Sequence, residues 1–259
     1  MSGDVTDTEH DGAASFTAAG AGPRVPEIPP DDGAVRLVLV RHGRTPSNVR
    51  HALDTKLPGP GLDEVGRRQA REVAGLLAGW PVRTLHSSRA TRARETAAPI
   101  AAALGTDVQL LPGVHEVFVG DLDGRADDEA RAVFDGVFDA WWDGDVRRRM
   151  PGGESARDVW DRFLPDLAAV LDGVTSGAVV VVSHGAAIRL TTFALLGGVD
   201  GAGGGAAGAD LCSAPGRADA PFGREHPIPN TGRVVLRRDP DGWTTELWDP
   251  MPDHSRSSH

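Results

Sequence analysis

The stretch VRLVLVRHG, Val35 to Gly43, decides how this chain reads. Val35 to Val40 is rich in β-branched and aliphatic residues, short, and bounded by Gly33 and Gly43. Such a run is the pattern of a strand covered on both faces in a parallel sheet. His42 then stands at the strand's carboxyl end. In open α/β sheets, ligand sites gather outside those ends, where helix N-termini offer free N–H groups to anions.

A second stretch repeats the construction. Ala178 to Val182 is another β-branched run, followed by Ser183-His184-Gly185 and the helical segment AAIRLTTFALLGG. Two imidazoles placed alike at two strand ends are expected to meet at one anion site.

Working outward, Leu62 to Trp80 carries apolar residues at Val65, Ala70, Val73 and Leu76-Leu77, close to helical spacing, with Asp63 as its cap. A short strand from Val82 to His86 and an Ala-rich helix from about Arg89 to Leu104 follow. Alternating strands and helices predict an α/β fold, a three-layer α/β/α sandwich with a mostly parallel central sheet and a small helical cap. The cap is assigned to residues 125–150, where Phe134, Phe138, Trp141 and Trp142 share one helical face interrupted by Gly136. That aromatic cluster is read either as cap core or as a subunit contact. Gly152 to Ser155 opens a further helix striped by Val159, Trp160, Phe163, Leu167, Val170 and Leu171, with a kink expected at Pro165. Arg233 to Leu236 and Thr244 to Leu247 read as a closing hairpin across Asp241-Gly242.

The chain has 259 residues, 40% of them hydrophobic, enough for one large core. One domain is expected over residues 35–250, between a flexible tail at 1–34 and a C-terminal tail at 251–259. The Gly/Ala/Pro-rich segment 197–227 reads as a mobile loop. The single cysteine, Cys212, cannot form an internal disulfide, and no stretch has the apolar length of a membrane span or leader core, so a soluble cytoplasmic protein is expected. A formal charge of −10 disfavours non-specific nucleic-acid binding, leaving a small anionic partner that converging arginines could hold.

Five elements in order, RHGRT (Arg41 to Thr45), RARETA (Arg92 to Ala97), the lone Glu116, GGES (Gly152 to Ser155) and SHG (Ser183 to Gly185), resemble the histidine phosphatase superfamily. That superfamily also holds the cofactor-dependent phosphoglycerate mutases. The resemblance spans about Val35 to Leu196, and Asn230 matches a further Asn-containing strand entry. It implies a phosphomonoester hydrolase that works through a phosphohistidine on His42. Arg41, Arg92 and His184 would surround the phosphoryl oxygens, and Glu116 would serve as proton donor. Arg92 fits the family pattern Arg-Ala-x-x-Thr-Ala; Arg89 and Arg94 read as solvated helix-surface residues. Gly185 joins the substrate-binding set. Asn48 is read either as a phosphate contact, as in relatives, or as a helix cap.

The chemistry of these side chains agrees with that implication. A neutral imidazole can attack phosphorus when a hydrogen bond to its other nitrogen sets the tautomer. Arginine's planar fork matches phosphate oxygens in pairs. A carboxyl near a phosphoryl dianion and away from bulk water should have its acidic form favoured, as Glu116 requires. Asp121 and Asp123 read as turn residues, Glu154 and Ser155 as an ordinary helix start, and Arg147-Arg148-Arg149 as a solvated face or, alternatively, an anchor for an acidic substrate tail. No histidine pair has metal-ligand spacing, and no Gly-rich loop ends in Lys and Ser or Thr. Neither a metal nor another cofactor is therefore expected.

Phosphatase and mutase share the phosphohistidine step and differ in what receives the phosphoryl group. Mutase relatives resemble RHGES with a tryptophan before the asparagine, whereas this chain has Arg44-Thr45-Pro46-Ser47-Asn48. Hydrolysis is therefore the first reading, mutase activity the second, and a non-catalytic phosphate-binding protein the third.

Overall fold

The computed structural model describes residues 32–197 and 227–249. All but the two end residues of the expected mobile loop, all but three residues of the expected N-terminal tail, the C-terminal tail and Cys212 lie outside the described residues.

Six strands form one sheet in the spatial order β3-β2-β4-β1-β5-β6. β1 (Val35–Arg41), β2 (Val82–Ser88), β3 (Val108–Leu111) and β4 (Gly177–Ser183) run parallel, while β5 (Arg233–Asp239) and β6 (Gly242–Trp248) close the sheet as an antiparallel hairpin. The α/β sandwich read from the sequence is thus the observed fold. Central β1 and β4 are buried on both faces, which is why their sequences are near-continuous Val and Leu rather than alternating with polar residues. On one face, Val38, Val40, Val180 and Val182 meet α2 (Glu64–Leu77) and α3 (Thr91–Leu104). On the other, Leu37, Leu39, Val179 and Val181 share a core with α4 (Asp128–Trp142), α5 (Ala156–Leu171) and α6 (Gly185–Leu195). Arg36 breaks the apolar run at the far end of β1. Its buried guanidinium pairs with Asp32 and Glu246 at 2.9 and 2.7 Å.

Several boundaries differ from the sequence reading for local reasons. α3 begins at Thr91 rather than Arg89, because Ala90 has extended backbone and its N–H goes to the Ser88 side chain. β3 was not anticipated: four residues with exposed Gln109 and Leu110 show neither alternation nor a continuous apolar run. α4 continues through Gly136, which is exposed, at a cost of about 1 kcal/mol relative to alanine. α4 packs its aromatic residues toward α6, with Trp142 meeting Phe193 at a ring distance of 4.4 Å. α5 runs unbroken past Pro165.

Two glycines bring the α2 N-terminus against the loop that follows His42. A Cβ on Gly66 would lie 2.1 Å from the Arg44 carbonyl oxygen, and one on Gly43 would lie 2.7 Å from the Gly66 carbonyl oxygen. Only hydrogen side chains allow that approach.

β2 buries His86 at 2% exposure with no hydrogen-bond partner on either ring nitrogen. Burial lowers its pKa from 6.5, so the folded chain refuses a proton that the unfolded chain accepts. The associated stability is complete above about pH 6.5 and is lost as pH falls, by at most about 1.4 kcal/mol per pH unit for each such histidine. In denaturant titrations between pH 7 and 5, His86→Leu should lose stability less steeply than the parent. Equal slopes would assign the acid sensitivity to other groups.

Candidate active site

The site is built at the carboxyl ends of β1 and β4. The N–H of His42 donates to the Ser183 carbonyl at 3.0 Å, extending the β1–β4 ladder and setting the two histidine-bearing turns side by side. The imidazoles of His42 and His184 lie 5.2 Å apart between ring centroids, at 59°. Residues separated by more than 140 positions therefore meet at one end of the sheet.

His42 is buried at 4% exposure, and its Nδ1 lies 2.7 Å from the Gly43 carbonyl oxygen. A carbonyl only accepts, so Nδ1 carries the hydrogen and Nε2 the lone pair. Burial, then Arg92 and Arg41, push the His42 pKa well below its usual value, outweighing the Gly43 bond. The ring is therefore neutral at pH 7, the state a nucleophile needs.

His184 is the N-cap residue of α6 and fully buried. Arg92 Nε donates to its Nδ1 at 3.3 Å, which leaves the hydrogen on Nε2, 2.9 Å from Ser88 Oγ. Burial and then Arg92 hold this ring neutral too. In this tautomer both ring nitrogens of His184 are engaged with protein.

Arg92 stands at the second position of α3, 3% exposed. Its Nη2 donates to the Asp54 carbonyl at 3.2 Å. The helix is tied to the His42 turn through Thr96, which accepts from Gly43 N at 2.9 Å and donates to the Arg92 carbonyl at 2.7 Å. Arg41 Nη1 donates to the Ile228 carbonyl at 2.6 Å, and Gly185 sits so close that a Cβ there would lie 3.3 Å from Arg41 Nε. Arg41 Nε and Arg92 Nη1 are buried donors without a hydrogen-bond partner. Burial depresses both guanidinium groups, with Glu116 acting in the opposite direction on each. Buried charged donors are costly unless satisfied, so this geometry suits an anion received between them.

Glu116 follows β3 and crosses to the start of α6. Its carboxylate accepts from Ala186 N at 3.2 Å, Ala187 N at 2.9 Å and its own neighbour Val117 N at 2.9 Å. All three hydrogen bonds are donated to Glu116.

Asn48 shows the capping interaction of its second reading. It closes a capping box with Thr45 on α1 (Pro46–Val49). Its Oδ1 also accepts at 3.2 Å from Asn230, whose amide donates to the His42 carbonyl at 3.1 Å. Arg89 and Arg94 are exposed, as read, and so are Arg147, Arg148 and Arg149, the last pairing with Asp158 at 2.8 Å. Asp123 is more than a turn residue: its Oδ1 accepts from the N–H and hydroxyl of Thr55, both at 2.8 Å, and from Lys56 N at 3.2 Å. Ser155 is the helix cap expected, but Glu154 reaches back to Phe118 and Arg162.

Sequence reasoning missed Ser88, Thr96, Arg162 and Arg189. Arg189 lies 4.7 Å over the Phe138 ring, and burial lowers its pKa to about 10. A signal for it existed: it is the lone charge in an otherwise apolar helical segment. Thr96 is the threonine of the Arg-Ala-x-x-Thr-Ala pattern, whereas Ser88 and Arg162 lie in ordinary polar positions and offer no such signal. Among the described residues no group of three or more His, Cys, Asp or Glu is arranged to hold a metal ion, and no helix is long and apolar enough to cross a membrane.

Comparison with known proteins agrees with this geometry. The family model of the histidine phosphatase superfamily (branch 1) matches residues 37–213. A glucosyl-3-phosphoglycerate phosphatase of Mycolicibacterium vanbaalenii is 36% identical over 62% of this chain and 74% of its own length. A 2,3-bisphosphoglycerate-dependent phosphoglycerate mutase of Methylobacterium radiotolerans is 37% identical over 61% of this chain and 78% of its own. PE_PGRS11 of Mycobacterium tuberculosis is 31% identical over 83% of this chain, which spans only 36% of that longer protein. Among solved structures, a mycobacterial glucosyl-3-phosphoglycerate phosphatase with inorganic phosphate superposes with a TM-score of 0.61 at 26% identity, covering 82% of this chain and 96% of the other. With a match over more than half of its length and its motifs gathered at one sheet end, the chain belongs to the histidine phosphatase superfamily, branch 1.

Proposed function

We propose that this chain hydrolyses a small phosphomonoester in two steps through a phosphohistidine on His42. The observation that carries the reading is the pair of buried, unpartnered guanidinium donors, Arg41 Nε and Arg92 Nη1, beside a neutral histidine whose outer nitrogen holds the lone pair. A phosphoryl dianion received by those donors presents its phosphorus to His42 Nε2. The N–P bond forms as the ester P–O bond breaks, and the charge redistributed over the phosphoryl oxygens meets fixed cations rather than water. The leaving alkoxide takes a proton from the Glu116 carboxyl, and the second step returns one. Water then attacks the phosphohistidine, gives its proton to Glu116, and releases inorganic phosphate and free His42. His184, with both nitrogens engaged, serves by holding Arg92 Nε so that Nη1 faces the substrate. Asn48 keeps the His42 turn in place through Asn230.

Relatives bear the names of both phosphatases and mutases, so the two activities need a direct test. The expected result is turnover of p-nitrophenyl phosphate without added bisphosphoglycerate, at a rate unchanged by EDTA. Phosphoryl transfer between phosphoglycerates that needs bisphosphoglycerate, with negligible hydrolysis, would establish the mutase reading. Tight binding of inorganic phosphate without any turnover would establish a binding protein. Inhibition by EDTA that a divalent metal reverses would point to a metal-dependent mechanism.

A further inference from the structure

We propose that Arg162 and Glu154 form a clamp that positions Glu116 for proton transfer, a role that rests on Glu116 acting as the acid in the reaction above. Arg162 lies on α5, and every N–H of its guanidinium is used in one task. Nε and Nη2 grip the Glu154 carboxylate at 2.8 and 2.9 Å. Nη1 donates to the Gly113 and His115 carbonyls, the latter at 2.9 Å, and Nη2 to the Glu116 carbonyl at 3.0 Å. Three carbonyls within a span of four residues around Glu116 thus converge on one side chain. A guanidinium has five donors in a planar fork, enough for this set; an ammonium has three and no such plane.

Glu154 completes the grip from the other side. Its Oε2 accepts from Phe118 N at 2.8 Å, and its own N–H donates to the Phe118 carbonyl at 2.8 Å. The backbones are in direct contact: a Cβ on Gly113 would lie 2.0 Å from the Arg162 carbonyl oxygen, and one on Gly153 2.3 Å from the Phe118 carbonyl oxygen. Gly113 N adds a bond to Asp166 Oδ2 at 2.6 Å. The segment 113–118 carries no helix or strand of its own, so its shape comes from these bonds. Arg162 and Glu154 are 16% and 17% exposed, shielded enough for the pair to persist in salt. A general acid misplaced by about 1 Å loses most of its contribution, while the two histidines and two arginines rest on other elements and keep theirs.

The test separates acid positioning from general damage by the leaving group. p-Nitrophenolate departs with little protonation, whereas the alkoxide of an alkyl ester such as glycerol phosphate needs a proton. In Arg162→Met, kcat/KM is expected to fall about 100-fold for the alkyl ester and less than about 5-fold for the aryl ester, the scale of one general acid. Competitive inhibition by inorganic phosphate should stay within about 2-fold of the parent. Arg162→Lys should behave like Arg162→Met. Glu154→Gln, which keeps both backbone partners and one acceptor for Arg162, should show the same selectivity at about 10-fold and supplies the measurement should Arg162→Met fail to fold. Equal losses on both esters, or no loss on either, would overturn the clamp. Glu116→Gln is the control for the underlying reading: no leaving-group selectivity in that variant removes Glu116 as the acid, and the clamp with it.

Discussion

His42→Ala is expected to lower turnover of any phosphate ester by about 10⁴-fold or more, because in the proposed mechanism it removes the atom that forms the first covalent bond to phosphorus. The nucleophile reading rests on three observations together. The ring is buried, its Nδ1 hydrogen is committed to the Gly43 carbonyl, and flanking guanidinium groups help burial to hold it neutral. In the parent protein, rapid quenching under denaturing alkaline conditions with labelled substrate should trap phosphate that is stable in base, lost in acid, and located on the peptide containing His42. His42→Ala should carry no label while still binding inorganic phosphate, since Arg41 and Arg92 are unchanged. Label on a different side chain, or activity close to that of the parent in the variant, would end the covalent mechanism proposed for this site.

Arg92→Ala should cost about 10³-fold or more in kcat/KM, comparable with removing an arginine from other phosphoryl-transfer sites. The residue does three things from one guanidinium. Nε holds His184, Nη2 holds the Asp54 carbonyl, and Nη1 is left buried without a hydrogen-bond partner, the donor proposed to receive the phosphoryl group. Arg92→Lys should recover little of the loss, because an ammonium on a flexible stem cannot hold three directions at once. Arg89→Ala and Arg94→Ala, exposed positions beside the same helix start, are expected to stay within about 2-fold of the parent. If Arg92→Lys matched the parent, or if Arg94→Ala fell as far as Arg92→Ala, the phosphoryl-binding role proposed for Arg92 would fail.

What could be read in the sequence has a common physical basis. Strands covered on both faces must be apolar throughout, so β1 and β4 announced themselves, and each was followed by the turn that holds a histidine. α2 and α5 were legible from their stripes and from the caps Asp63 and Ser155, whose side chains do bond the first turns. Edge strand β3 was not, because a strand with one paired side and two exposed residues among four carries no pattern. In the site, the resemblance selected Arg92 from three nearby arginines. Burial separates them in the fold, with Arg92 at 3% exposure and the other two on the surface. Glu154 and Arg162 were invisible as a pair, since the helix-start pattern accounts for the first and a charge on an amphipathic helix for the second.

Sequence by itself determined the fold class, the two histidine-bearing strand ends and the motif residues that the fold gathers there, because local pattern and motif order carry that information. Tertiary structure alone decided which hydrogen bonds those residues make. It set the hydrogen of His42 on Nδ1, turned His184 toward Arg92 and Ser88, seated the Glu116 carboxylate on the first N–H groups of α6, and joined that loop to Arg162. Hydrogen bonding is directional and short-ranged, so these choices exist only once residues distant in the chain have been brought within about 3 Å of one another.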